Sequence, residues 1–129
     1  MIIAVTNQKG GVAKTTSTIA LSGLLAESYS CLVVDFDPQG NLTTGLGIKI
    51  QQGQKTAYEV LTDRKQSASE TIIDTEYGIK LIPADISLAS GEKQILTPGS
   101  LVLRVLRASW VVSVRSAIVG KTPKICKLG

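Results

Sequence analysis

An α/β fold, with a parallel sheet flanked by helices, is what this sequence predicts, on three observations. Ile2–Thr6 is a short apolar run rich in β-branched residues, and it passes at once into a lysine and glycine cluster. Residues 15 to about 28 then take up helical spacing. Residues 31–34 form a second continuous apolar run, ended by Asp35. Strand, loop, helix, strand is a βαβ unit, and its loop lies at the carboxyl end of the first strand.

The remaining elements follow in order. Within the helix, Ala20 and Leu24 stand one turn apart, as do Leu21 and Leu25, which gives two apolar rows. Gly45, Gly47 and Gly53 then mark a loop. Thr56, Ala57, Tyr58 and Glu59 have the spacing of a capping box ahead of Val60 and Leu61, so a short helix is expected to start there. Residues 71–73 and Ile79–Ile82 read as two further strands, the second closed by Pro83, and residues 84–95 read as helical. The chain holds no internal repeat.

At 129 residues there is room for one small domain with a core, and 43% hydrophobic with 19% charged residues describes a soluble globular chain. Charge divides unevenly. Residues 1–92 carry seven Lys/Arg and ten Asp/Glu, while residues 93–129 carry seven Lys/Arg and no acid, so the net +4 belongs to the tail. Cys31 and Cys126 lie far apart in plain context, which suggests neither a metal site nor a secreted disulfide framework. No basic stretch precedes an apolar one at the N-terminus, so the layout of a signal peptide is lacking. Arg104, Arg107 and Arg115 interrupt the apolar region 101–119, which argues against a membrane span, and a cytoplasmic protein is expected.

The segment Gln8-Lys9-Gly10-Gly11-Val12-Ala13-Lys14-Thr15-Thr16 lies between the first strand and the helix. Glycines let the backbone curl so that successive N–H groups face phosphate oxygens, and the helix that follows presents its positive end. Lys14 is expected to reach the β and γ phosphates of ATP, and the Thr15 hydroxyl to ligate Mg²⁺. The ordinary pattern G-x-x-x-x-G-K-[ST] fails at both glycines, which are Gln8 and Ala13 here. After the second run comes Asp35-Phe36-Asp37-Pro38-Gln39-Gly40-Asn41. Parallel strands deliver both loops to one sheet edge, where open α/β sheets place ligands. One aspartate there can orient a water and the other support the Mg²⁺ shell, and the residues alone leave open which does which.

The lysine loop resembles the deviant form K-G-G-x-x-K-T of the ParA/MinD-type ATPases, which include partition, division-site and iron-protein members with a P-loop NTPase-type sheet. The resemblance implies ATP and Mg²⁺ as cofactors, with Lys9, Gly10, Gly11, Val12, Ala13, Lys14, Thr15 and Thr16 around the nucleotide. It implies that Lys9 crosses a dimer interface to the nucleotide of the other subunit, that Lys9 and Lys14 act in catalysis, and that Asp37 serves hydrolysis, leaving Asp35 beside Thr15 for the metal. Asn7-Gln8, the stretch Pro38-Gln39-Gly40-Asn41, and Leu81-Ile82-Pro83-Ala84 with Leu88-Ala89 are similar to the partition branch. For that branch the resemblance implies an ATP-dependent homodimer that binds DNA without sequence preference, and a ParB-like centromere-binding partner that stimulates hydrolysis. Membrane association belongs to the division-site branch.

The resemblance covers residues 1 to about 92. An intact member is about twice as long, and its next apolar strand ends in the Walker B aspartate. No Asp or Glu follows Glu92, so the fold is expected to be truncated before that strand, with sheet edges exposed beside the phosphate loop. Residues 1–95 are thus read as the front of a P-loop ATPase domain, and residues 96–129 as a basic tail from a frameshift or a replaced C-terminus. Arg104, Arg107 and Arg115 fall on one side of a helical wheel, so 101–119 is expected to form an amphipathic helix. The alternatives to a partition ATPase are a truncated fragment without activity and a MinD-like membrane-associated regulator.

Overall fold

The computed structural model of the chain describes residues 1–7, 10–63 and 65–90, and beyond them two strands. In chain order these are β1 (Ile2–Thr6), α1 (Lys14–Ala26), β2 (Ser30–Val34), α2 (Asn41–Gly45), α3 (Ala57–Thr62), β3 (Ile73–Asp74), β4 (Ile79–Ile82), β5 (Ser109–Arg115) and β6 (Ile125–Lys127). They form one six-stranded sheet in the order β3-β4-β2-β5-β1-β6. β2 runs parallel to β4 and β1 parallel to β6, while β5 lies antiparallel to both β1 and β2. β1, β2 and β4 therefore all point the same way, and their carboxyl ends share one edge.

Strand parity divides the core in two. Along β2, Cys31 and Val33 face one side and pack with Ile3, Leu42, Leu46, Ile79 and Leu81, with Leu21 and Leu25 of α1 against them. Leu32 and Val34 face the other side, with Ala57, Ile82, Ala84 and Leu88. Successive strand side chains alternate between faces, so a shift of one residue would exchange the two sets. Each fully buried leucine contributes about 1.5–3 kcal/mol.

α1 meets the sheet through small polar residues. Thr18 and Ser22 are fully buried, and their hydroxyls donate to the carbonyls of Lys14 (2.9 Å) and Ile19 (3.0 Å) on the helix itself. Of the two apolar rows expected, Leu21 and Leu25 turn inward, while Ala20 and Leu24 face outward, Leu24 at 67% exposure. Helical spacing identifies a row but not the side it faces, and hydroxyls bonded to their own helix can be buried at little cost. α3 starts as the sequence predicts: Glu59 accepts from the Thr56 amide (2.7 Å), and Thr56 Oγ1 accepts from the Tyr58 amide (3.2 Å).

The parallel strands β1, β2 and β4 carry the expected sheet, with β5 entering it in reverse and β3 forming a hairpin with β4. Three expectations change. Residues 68–71 are a 3-10 turn, and the strand expected at 71–73 is only Ile73–Asp74. Residues 87–90 are helical, and 91–95 lie outside the described residues. The amphipathic helix over 101–119 is replaced at its centre by β5, which carries Trp110, Val111, Val112 and Val114, types that lose rotamer freedom in helices and suit a pleated sheet. The rest of that segment lies outside the described residues. The phosphate-loop strand accordingly has a neighbour on each side, β5 and β6, instead of a bare edge.

Candidate functional site

β1 ends at Thr6, and the chain then curls back into α1. Gly11 has φ 72°, and Ala13, at φ 58° and ψ 23°, is left-handed too. The Ala13 carbonyl accepts the first helical bond, from the Ser17 amide at 2.8 Å, but no side chain caps the helix and its first turn holds no acid. The helix dipole favours an anion at this start. Ala13 occupies the position where the ordinary motif has glycine, and a Cβ in this region costs on the order of 1 kcal/mol. Ala13→Gly is expected to stabilise the chain by about 1 kcal/mol, read as a raised urea midpoint at unchanged slope. An unmoved or lowered midpoint would mean that the loop stores no such strain.

A cavity of about 470 Å³ opens above this helix start, lined by Gly10 through Thr16, Asp37 and Asn41. That size suits a small ligand. Lys14 and Thr15 are half-buried in its wall. Among the described residues no group of three His, Cys, Asp or Glu side chains could hold a metal ion. One hydroxyl, from Thr15, fits an Mg²⁺ that arrives with phosphates and keeps most of its water, rather than a caged ion.

The two aspartates after β2 share one strand parity, and it is the turn beyond Val34, where the Asp37 amide bonds Asp35, that separates them. Asp37 is half-buried and lines the cavity, with its Oδ1 accepting from the Gln39 amide (2.9 Å) and its carbonyl from the Gly40 amide (2.8 Å). Asp35 continues the inward row of Cys31 and Val33 and is fully buried. Its Oδ1 accepts from the Asp37 amide (2.9 Å), and its Oδ2 from the Thr43 amide (2.9 Å) and hydroxyl (2.7 Å). The carboxylate expected beside the metal is thus turned away from the cavity and bonded to protein groups.

Burial pushes the Asp35 carboxyl from its ordinary 3.8 up to about 6, against the opposing pull of its hydrogen bonds from Thr43 and Asp37. The folded chain therefore holds this proton more tightly than the unfolded chain. Stability should fall as pH rises from about 4 to 6, by roughly 3 kcal/mol from this group, and then level off. Urea unfolding across that range, compared with Asp35→Asn, checks the sign. Equal pH slopes in the two proteins would count against it.

α2 is the element the sequence reading passed over, and it brings Asn41 to the cavity wall. Gly40, left-handed at φ 60°, precedes it, and a Cβ on Gly40 would lie 2.8 Å from the Ala84 carbonyl oxygen beyond β4. A glycine, then an asparagine, directly after Asp-Pro-Gln was the signal available for this site residue. Of the residues expected at the site, Gly10, Gly11, Val12, Ala13, Lys14, Thr15, Thr16 and Asp37 come together, Asp35 does not, and Lys9 lies outside the described residues.

An anion-receiving helix start at the carboxyl edge of a helix-flanked sheet is how P-loop nucleotide-binding proteins are built. The family model described as an AAA domain matches residues 1–108 of this chain. The sporulation initiation inhibitor protein Soj of Bacillus subtilis is 41% identical over 108 residues, covering 83% of this chain and 43% of Soj. The chromosome partitioning protein ParA of Caulobacter vibrioides is 40% identical over 95 residues, covering 73% of this chain and 36% of ParA. Among solved structures, cobyrinic acid a,c-diamide synthase from Mycobacterium smegmatis, with bound ATP analogue and magnesium, superposes with a TM-score of 0.69 at 37% identity, covering 81% of this chain and 44% of that one. The chain belongs to this AAA-domain family, and within it to the ParA/MinD type, whose N-terminal part it matches. It spans less than half the length of each of these three relatives.

Proposed function

We propose that this chain binds Mg·ATP in the cavity at the start of α1 and acts as the nucleotide-binding part of a DNA partition switch. The observation that carries this reading is an uncapped helix start with Lys14 and Asp37 facing one cavity. Backbone N–H groups from Gly10 to Thr16 hold phosphate oxygens, and Lys14 offsets charge on the β and γ phosphates. The Thr15 hydroxyl is the chain's own ligand to Mg²⁺, which when bound neutralises further phosphate charge. Asp37 orients the attacking water. Lys9 of one copy completes the site of a second, so nucleotide binding favours a homodimer. Nonspecific DNA and a ParB-like centromere-binding protein are the partners this reading implies, in a cytoplasmic setting. The likeness to Soj and to ParA supports the partition branch.

A second reading, nucleotide binding without turnover, is favoured by one fact: residues 93–129, where the resemblance leads one to look for the Walker B strand, hold no Asp or Glu. The basic helix that the membrane-associated alternative needs is interrupted at its centre by β5. Protection of the purified chain by Mg·ATP against proteolysis and heat, compared with Lys14→Ala, tests the shared claim of binding. Phosphate release then separates the two readings.

A further inference from the structure

Three segments at the phosphate edge meet on one buried pair of side chains. Asp35 is fully buried, and Thr43 and Ala84 are each 2% exposed. The Thr43 hydroxyl donates to Asp35 Oδ2 (2.7 Å) and accepts from the Ala84 amide (3.0 Å). The Asp35 amide donates to the Ile82 carbonyl (3.0 Å), and Asp35 Oδ1 accepts from the Asp37 amide (2.9 Å). The end of β2, the body of α2 and the end of β4 are thus joined through one hydroxyl that both donates and accepts. The segment so held is the one that carries Asp37 and Asn41 to the phosphate cavity. Its opposite side, with Gly40, Thr43 and Thr44, walls a second cavity of about 410 Å³.

We infer that Asp35 and Thr43 are positioning residues: a buried strut that sets where Asp37 and Asn41 stand in the phosphate cavity. The inference rests on the reading of that cavity as the nucleotide site. Asp35 reaches the ligand only through its neighbours, which distinguishes it from a metal ligand. Removing the Thr43 hydroxyl leaves Asp35 Oδ2 and the Ala84 amide each short of a buried partner, and such losses are larger than the worth of the bonds themselves.

The test uses the full chain as wild type, Thr43→Val, which keeps the shape without the hydroxyl, and Thr43→Ser, which keeps the hydroxyl. Amide exchange is followed without nucleotide, and Mg·ATP affinity by calorimetry. Thr43→Val is expected to speed exchange at residues 37–44 and 84 by about tenfold relative to β1 and β2, and to weaken Mg·ATP by about tenfold, while Thr43→Ser stays within about twofold on both. A uniform rise at every amide, a Thr43→Ser that behaves like Thr43→Val, or a Thr43→Val that behaves like wild type overturns the inference. If Thr43→Val does not fold, the wild type decides alone: the Thr43 and Ala84 amides must open as one unit, with protection factors within about threefold of each other. Failure of the wild type to bind Mg·ATP sinks the nucleotide reading, and the exchange measurements still decide whether the strut exists.

Discussion

Lys14→Ala is expected to weaken Mg·ATP binding by about a hundredfold, because a charge-assisted bond to phosphate contributes on the order of 1.5–3 kcal/mol and the side chain stands half-buried in the cavity wall. The readout is large on the stability scale. Ligand at a hundred times its Kd stabilises by about 2.7 kcal/mol, and each kcal/mol moves the melting temperature of a small domain by roughly 4–8 °C. Wild type should therefore gain more than about 10 °C with saturating Mg·ATP while Lys14→Ala gains almost nothing. Lys14→Arg should recover only part of the shift, since a planar fork replaces a compact ammonium in a fixed cradle. Equal shifts in wild type and Lys14→Ala, or none in either, would remove the basis for the proposed function.

Gly40→Ala is expected to cost about 2–4 kcal/mol, a large share of the 5–15 kcal/mol typical of a folded domain. Two effects add. A side chain at φ 60° is strained, and the new Cβ would meet the Ala84 carbonyl oxygen, a backbone atom, at 2.8 Å. Gly47 and Gly53, both at φ 79°, separate the two effects, because a Cβ at either has no atom within 4 Å. Gly47→Ala and Gly53→Ala should lose about 1 kcal/mol each by urea unfolding. If Gly40→Ala loses no more than these, the close approach of the α2 start to Ala84 is not a constraint.

What could be read from the sequence was local. The β1, loop, α1 and β2 order was legible because two apolar runs bracket a loop whose glycines and lysines have a chemical purpose. The capping box at Thr56 and Glu59 was legible for the same reason: both partners lie within one turn. α2 was not, since five residues ending in glycine show no helical period, and its place depends on Thr43 meeting Asp35 and Ala84 across distant parts of the chain. The roles of Asp35 and Asp37 stayed open because both follow a strand. Parity extends the inward row of Cys31 and Val33 to Asp35 but would carry Asp37 the same way, so only the turn after Val34 separates them. The region 101–119 misled because arginine spacing was weighed there and the valines of β5 were not.

The position of β5 also fixes an order in time. β1 and β2 share no hydrogen bonds in this sheet, and each pairs instead with Ser109–Arg115, Ile2 opposite Ser113 and Val33 opposite Val112. As the chain emerges from synthesis, β1 cannot pair with β5 until more than a hundred further residues have been made. Contacts so distant along the chain are slow to form, because the whole intervening loop must close first. The centre of the sheet is therefore finished late, and until then the phosphate loop hangs from a strand without either of its neighbours.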